Sequence, residues 1–250
     1  MSMKFHIFTI FPEMFEGPLS NGIIARAIKN ELIEVRLVNI RKYAQDKRGT
    51  IDDYPFGGGS GMIMKPEPLF EAVEDEHKSG SLKATSKIIL LSPQGRRLTQ
   101  AMAEDLAKLG EIAMICGRYE GVDERVRKHL ATDEISIGDY VLGGGELASM
   151  VVVDTVSRLI PGVVGSIESV MDDSFTTGLL QHPQYTRPAE FRKWQVPPIL
   201  LSGNHAEISR WKRRESIRRT FLRRRELLNP DDLSEDELTF IEGLEKNNLG

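Results

Sequence analysis

Residues 87–95 have the sequence KIILLSPQG, in which an unbroken apolar run is followed by a short polar segment with a proline and a glycine. Residues 111–121 have the sequence EIAMICGRYEG and show the same order of features. Apolar runs that do not alternate with polar residues are typical of strands buried on both faces, as in parallel sheets covered by helices. The two stretches therefore predict two such strands, each followed by a glycine-containing turn.

Strands and amphipathic helices are predicted to alternate along the first 160 residues. One helix is predicted to begin near Ser20, one at Pro66, where proline suits the first helical position, and one to run from about 146 to 159. Thr99 and Asp123 are candidate N-caps of two further helices. This alternation predicts an α/β fold with a mostly parallel sheet. The predicted strands are 4–10, 33–40, 87–91, 111–116 and 134–136.

The bulk composition is that of an ordinary globular protein. The 250 residues are 40% hydrophobic and 28% charged, and they lack the run of 18 or more apolar residues that indicates a transmembrane helix. The N-terminal residues resemble a strand rather than a secretion signal, and the single cysteine, Cys116, allows no internal disulfide. We therefore expect a cytoplasmic protein without membrane contact.

The composition changes after residue 160. Residues 161–177 are rich in Gly, Ser, Asp and Val, and they predict a linker between an α/β domain at 1–160 and a small all-α domain at 178–250. Residues 210–225 hold nine Arg and Lys residues and one acidic residue, Glu215. The net charge of −4 argues weakly against a nucleic-acid partner, but this basic cluster favours contact with phosphates. A solvated, arginine-rich helix face is the alternative interpretation.

Four glycine-containing loops stand near the ends of predicted strands: residues 55–62, 92–95, 116–121 and 137–146. In open α/β sheets, ligands bind beyond the carboxyl ends of the strands, where glycines let the backbone approach them closely. The chain has neither a P-loop nor a dinucleotide-binding glycine pattern. The loops therefore favour a cup of backbone donors and acceptors suited to an uncharged adenine or a zwitterion, although each loop alone is equally explained as a turn.

Several motifs in the same order resemble those of the bacterial tRNA (guanine-N1)-methyltransferases, the TrmD family of the knotted SPOUT class. They are the loops at 56–62, 116–121 and 136–147, followed by DSF at 173–175, GLL at 178–180 and HPQYTRP at 182–188. The resemblance extends from the first strand to at least Arg225. It implies a trefoil knot in the C-terminal part of the first domain and a homodimer whose active sites lie at the subunit interface.

The resemblance also implies that S-adenosylmethionine binds among the knot loops, with its adenine held mainly by main-chain groups. Glu120 is the candidate carboxylate beside the positively charged sulfonium. The residues implied to form the cofactor site are Ser92, Pro93, Gly95, Gly117, Glu120, Ile137, Gly138, Tyr140, Leu142, Gly144 and Gly145.

The implied reaction is methylation of guanine N1 at position 37 of the tRNA anticodon stem-loop. N1 carries a proton that must leave, so a positioned carboxylate is a reasonable base, and the resemblance assigns this role to Asp173. A free Asp, with a pKa of about 3.9, is a weak base for this task unless its pKa is raised or charge on guanine O6 is stabilised. The resemblance assigns O6 to Arg158, with Mg²⁺ as a possible assistant, although no metal-ligand spacing in the sequence indicates a metal. Without the resemblance, Asp173 would be a solvated linker residue and Arg158 a cation favouring a helix dipole.

Contacts with tRNA are expected from His182, Tyr185, Arg187, Arg213 and Arg214. A structural role remains open for His182, which stands alone rather than in a metal-binding group. Three other functions also remain open at this point: a methyltransferase of another RNA, a non-catalytic RNA-binding protein and a nicotinamide-linked oxidoreductase. The missing dinucleotide pattern weakens the last of these.

Overall fold

The computed structural model describes residues 2–165 and 173–248, and it divides the chain into two compact units, Met1–Ser166 and Ile167–Gly250. Part of the predicted linker at 161–177, residues 166–172, lies outside the described residues. On either side of that gap, residues 161–165 and 173–179 form turns and bends. None of the helices in the described ranges is long and apolar enough to cross a membrane.

The first unit is built on a five-stranded sheet in which every strand pairing is parallel. The strands are β1 (Met3–Thr9), β2 (Ile33–Asn39), β3 (Asp52–Asp53), β4 (Ile63–Met64), β5 (Lys87–Arg97), β6 (Glu111–Cys116), β7 (Asp133–Ser136), β8 (Glu190–Phe191) and β9 (Trp194–Gln195). The order of strands in the five-stranded sheet is β2-β1-β6-β5-β7. Strands β3 and β4 form a separate antiparallel pair, and β8 and β9 lie in the second unit.

The described helices of the first unit alternate with these strands, largely as the sequence predicts, and two longer helices follow the last strand. Pro66 is the first residue of its helix, and the side chains of Thr99 and Asp123 cap theirs. The α-helices are α1 (Glu16–Leu19), α2 (Gly22–Lys29), α3 (Pro66–Lys78), α4 (Gln100–Ala107), α5 (Glu124–His129), α6 (Glu146–Ser157), α7 (His205–Arg223) and α8 (Glu235–Asn248). Single 3₁₀ turns occur at Pro12–Phe15, Ile40–Tyr43, Pro198–Leu201, Arg225–Leu227 and Pro230–Asp232.

Two hydrophobic clusters cover the two faces of the sheet, which explains the unbroken apolar runs. In β6, Ile112 and Met114 belong to the cluster with residues of α2, α4 and α6, whereas Ala113 and Ile115 belong to the cluster with residues of α3 and α5. All four are fully buried. Burial of one large aliphatic side chain stabilises a fold by roughly 1.5–3 kcal/mol. The prediction of strands buried on both faces is therefore confirmed.

A buried polar cluster lies away from the carboxyl ends of the strands. His6 Nδ1 is 3.5 Å from Glu76 Oε2, and His6 Nε2 is 3.8 Å from Glu111 Oε1. Burial lowers the pKa of His6 below its ordinary value, although the two carboxylates oppose that shift. Arg36 donates two hydrogen bonds to the Glu76 carboxylate, at 2.5 and 2.9 Å. Glu76 is thus a buried carboxylate that is held by an arginine.

The second unit is mostly helical, but the all-α prediction is wrong for residues 190–195. Strands β8 and β9 pair there as an antiparallel hairpin. Its two turn residues, Arg192 and Lys193, both have positive φ, at 52° and 70°, which gives a turn that matches the twist of a hairpin. Sequence patterns missed it because positive φ usually indicates Gly or Asn rather than two cations.

Candidate functional site

The first loop of the site interrupts strand β5. Ile135 of β7 pairs with Leu91 and again with Arg96, so the residues at 92–95 bulge out of the sheet between two paired segments. Gly95 permits this bulge, because a Cβ on it would lie 2.5 Å from the backbone N of Ile135. The predicted strand at 87–91 is therefore longer than expected and contains the loop.

The second loop, at 116–121, follows the fully buried strand β6. Tyr119 has a positive φ of 60° and is half exposed. The β3–β4 hairpin supports this loop, since the Glu120 N–H donates to Met62 O at 3.0 Å. A Cβ on Gly61 would lie 2.6 Å from Glu120 Cγ, so Gly61 leaves room for the Glu120 side chain.

The third loop, at 137–145, connects β7 to helix α6 and packs against the second loop. Gly145 N–H donates to Gly117 O at 2.9 Å, and Arg118 forms an isolated antiparallel bridge with Gly144. A Cβ on Gly145 would lie 2.7 Å from Cys116 Cα. Glycine is therefore required where the two loops touch.

Together the three loops border a cavity of about 300 Å³ beyond the carboxyl ends of the strands. All residues that the sequence assigned to the cofactor site border the cavity except Gly95. Gly95 lies against the backbone of β7 and allows the loop at 92–95 to form. The glycine-rich segment at 57–61 does not border the cavity, but Gly61 in this segment packs against the Glu120 side chain, which does border it. The volume is at the lower end of the range for small-molecule sites.

Two arginines that no local sequence pattern marks as site residues flank the cavity. Arg127 of α5 borders it, forms an ion pair with Glu134 and donates to Gln94 Oε1 at 2.8 Å. Arg118 also borders the cavity and pairs with Glu146, whose side chain is buried. Tertiary pairs of this kind have no local sequence pattern.

Cys116 is fully buried at the end of β6. Burial raises the pKa of its thiol far above the ordinary value. A thiolate is therefore disfavoured there, which argues against a role of Cys116 as a nucleophile.

The two predicted catalytic residues lie in different units. Arg158 caps the C-terminal end of α6, 10 residues after Ala148, the last residue of this helix that borders the cavity. At 1.5 Å per residue, the helix separates the backbone of Arg158 from the cavity by about 15 Å. Asp173 is half-buried and begins a turn in which Ser174 Oγ accepts a hydrogen bond from Gln181 N at 2.9 Å.

The residues expected to contact tRNA have different environments. Tyr185 and Arg187 are exposed, as such contacts require. His182 is only 3% exposed, and its ring packs edge to face on Trp211 with centroids 6.4 Å apart. This burial supports the structural role that the sequence left open and argues against the expected direct contact with tRNA.

The basic cluster is less isolated than the sequence suggests. Arg213 donates to both carboxylate oxygens of Glu237 on α8, at 2.8 and 3.3 Å, and the Arg214 guanidinium lies 4.2 Å from the centre of the Phe240 ring. Arg225 also pairs with Glu245 of α8. Acidic residues after position 230 therefore pair with part of the basic cluster.

Metal ligation has little support in the described ranges. There, no group of three or more His, Cys, Asp or Glu side chains could hold a metal ion.

The parallel sheet, the helices on both faces and the glycine-bordered cavity at the strand ends define the class: an α/β protein with a small-molecule site, joined to an arginine-rich helical unit. The family model described as "tRNA (Guanine-1)-methyltransferase TrmD" matches residues 3–230. The chain belongs to this family.

Curated relatives cover the chain almost completely, and each is named tRNA (guanine-N(1)-)-methyltransferase. A protein of Dehalococcoides mccartyi (strain CBDB1) is 56% identical over 240 residues, which is 96% of each chain. A protein of Anoxybacillus flavithermus (strain DSM 21510 / WK1) is 54% identical over 98% of this chain and 99% of its own. One of Bacillus cereus (strain AH820) is 51% identical over the same shares.

Proposed function

We propose that this chain transfers a methyl group from S-adenosylmethionine to N1 of a guanine in tRNA, at position 37 of the anticodon stem-loop. The observation that carries the proposal is the cavity formed by the three loops, in a chain whose relatives are named tRNA (guanine-N(1)-)-methyltransferases. The nicotinamide-linked alternative lacks the glycine pattern that a dinucleotide needs.

The cavity suits the proposed cofactor. Gly117, Gly144 and Gly145 border the cavity without side chains, so an adenine edge can approach the backbone closely, while Ile137 and Leu142 supply apolar surface. Glu120 supplies a carboxylate at the same cavity, held by the β3–β4 hairpin. When bound, the cofactor supplies an electrophilic methyl group on a positively charged sulfur.

Asp173 accepts the guanine N1 proton in this proposal. A carboxylate can do so when it is positioned within hydrogen-bonding distance of the proton. The turn that follows Asp173 is closed by the bond from Gln181 N to Ser174 Oγ, which supports a fixed backbone at this point. Arg158 stabilises the negative charge that develops on guanine O6. The described residues present no metal-binding group, and the proposal includes no Mg²⁺ step.

The position of Arg158 supports a homodimer. Within one chain, α6 separates the backbone of Arg158 from the cavity by about 15 Å, which is more than an arginine side chain can span. An active site that uses both the cavity and Arg158 therefore requires Arg158 from a second copy. This is the arrangement that the family resemblance implies, together with a trefoil knot formed around the cavity loops.

The helical unit holds the tRNA in this proposal, with 1–160 as the catalytic domain, 161–177 as the linker and 178–250 as the RNA-binding domain. Tyr185 and Arg187 are exposed and suited to stacking and phosphate contact. An unpaired anticodon loop lowers the cost of turning a guanine out of its stack.

A methyl-transfer assay tests the proposal directly. The purified chain is incubated with labelled S-adenosylmethionine and an unmodified tRNA transcript, and the product nucleoside is identified by mass spectrometry. We expect 1-methylguanosine from a transcript with guanine at position 37 and none from a matched transcript with adenine there. Equal methylation of both transcripts would indicate a different RNA site. Failure to bind S-adenosylmethionine in calorimetry would favour a non-catalytic RNA-binding protein.

A further inference from the structure

Glu146 is the first residue of α6 and directly follows the cavity loop at 137–145, but it does not itself border the cavity. We propose that Glu146 is a positioning residue: acting through Arg118, it fixes the loops at 116–121 and 137–145 in the arrangement that accepts the cofactor. The identity of the ligand rests on the proposed function, whereas the link between the two loops does not.

The Glu146 carboxylate is fully buried, and each of its oxygens has a partner from a different element. Arg118 Nε donates to Oε2 at 2.9 Å, and Thr9 Oγ1 donates to Oε1 at 2.8 Å. Thr9 ends strand β1, and Arg118 belongs to the loop after β6. One carboxylate therefore joins α6 to two neighbouring strand ends.

Glycines at the loop contact clear the path of Arg118 to Glu146. A Cβ on Gly144 would lie 2.2 Å from Arg118 Nε and 2.6 Å from Glu146 Oε2. The Arg118 side chain thus passes directly over the Gly144 backbone. The ion pair closes over the third loop and holds it against the second.

Further contacts keep the Arg118 guanidinium on this path. It lies 4.6 Å from the centre of the Phe11 ring, and its Nη2 donates to Met14 Sδ at 3.1 Å. Phe11 N–H in turn donates to Thr9 Oγ1 at 3.0 Å. The segment after β1 therefore belongs to the same network, although none of its residues borders the cavity.

Loss of one charge should therefore release both loops. A charge that is mostly buried, as Arg118 is, becomes unfavourable without its partner, so Arg118 is expected to leave its path when Glu146 becomes neutral. The Arg118–Gly144 bridge then loses the side chain that covers it. Residues that orient the ligands of a metal ion change metal affinity about 10- to 100-fold, and we expect the lower end of that range for residues that orient cavity loops.

The His6 cluster provides a matched control. Glu76 is likewise a buried carboxylate with an arginine partner, but neither Glu76 nor Arg36 borders the described cavity. Glu76→Gln should therefore reproduce the loss of a buried ion pair without changing the cavity loops.

The experiment measures the Kd for S-adenosylhomocysteine by calorimetry and the Tm of each protein. We expect Glu146→Gln and Arg118→Met each to raise the Kd about 10-fold. The Kd of the double variant should be about the same as the higher of the two single-variant Kd values, because both residues act through one contact. Glu76→Gln should lower the Tm while leaving the Kd within two-fold of wild type. Thr9→Val replaces Glu146→Gln in the experiment if that variant does not fold. It removes one hydrogen bond to Glu146 but keeps the ion pair, so it should raise the Kd two- to three-fold.

Hydrogen exchange on the ligand-free proteins provides a second measurement. We expect amides at 116–121 and 137–145 to exchange faster in Glu146→Gln, and in Thr9→Val to a smaller extent, but not in Glu76→Gln. Unchanged exchange and Kd in the Glu146 and Thr9 variants would overturn the inference, as would effects of Glu146→Gln and Arg118→Met that multiply in the double variant. If the wild-type protein binds no S-adenosylhomocysteine, the proposed function fails, and exchange still decides whether the ion pair fixes the loops.

Discussion

Gly95→Ala should damage the site through the sheet rather than through the cavity surface. The new Cβ would lie 2.5 Å from Ile135 N and 2.6 Å from Glu134 C. Both are backbone atoms, so no side-chain rotation can relieve the contact. Because real Cβ contacts essentially never fall below 3.0 Å, β5 and β7 must separate by about half an ångström or more.

The expected cost of this separation is near the upper end of overpacking effects, about 3 kcal/mol. For a chain of this size, that corresponds to a fall in Tm of roughly 6–12 °C. The loop at 92–95 lies between the two paired segments of β5, so its shift should also weaken cofactor binding.

Thermal unfolding and calorimetry with S-adenosylhomocysteine measure the two effects of Gly95→Ala. Gly243→Ala is the matched control, because a Cβ on Gly243 meets nothing within 4 Å and Gly243 lies inside helix α8. The control should be neutral or slightly stabilising. A Gly95→Ala protein within 2 °C of the wild-type Tm and with an unchanged Kd would refute the reasoning.

Four further predictions concern other parts of the molecule. Asp173→Ala should abolish methyl transfer while leaving the Kd for S-adenosylhomocysteine nearly unchanged, and near-normal turnover would exclude Asp173 as the base. Arg213→Ala combined with Arg214→Ala should weaken tRNA binding and reduce its salt dependence in filter-binding titrations, and an unchanged salt slope would assign both arginines to contacts with α8 alone. Because the folded pKa of His6 is lowered, its contribution to stability is complete above its ordinary pKa of 6.5 and declines as the pH falls below that value; denaturant unfolding at pH 5–8 should show this decline in wild type and a smaller one in His6→Gln. Cys116 should react with a thiol reagent only after unfolding, so rapid labelling of the native protein would contradict its burial.

The strands of the first unit were largely predictable because their pattern is local. The run Ile112–Ile115 has apolar residues at every position, and a strand is the element that buries both of its faces. The ends of strands were also predictable where a glycine turn follows, as at Cys116. The gathering of three loops at one cavity followed from the general rule for parallel sheets.

Features that depend on distances across the fold were not predictable from local patterns. Gly95 resembles an ordinary turn glycine in the sequence, and only the register of β7 reveals its backbone contact. Arg213 and Glu237 pair across two helices although they are 24 positions apart in the sequence, so the basic cluster alone gave too simple an electrostatic expectation. Glu146 likewise looks like an ordinary N-terminal helix residue until Thr9 and Arg118 are placed beside it.

The stiffness of helix α6 couples the positions of its two ends. It has the cavity loop at its first residue and Arg158 at its last turn, and a helix of this length bends little. A tilt of about 5° about its first turn would displace the opposite end by roughly 1.5 Å. A small tilt of the helix at the glycine loops would therefore move Arg158, at the opposite end of α6, further than it moves the loops.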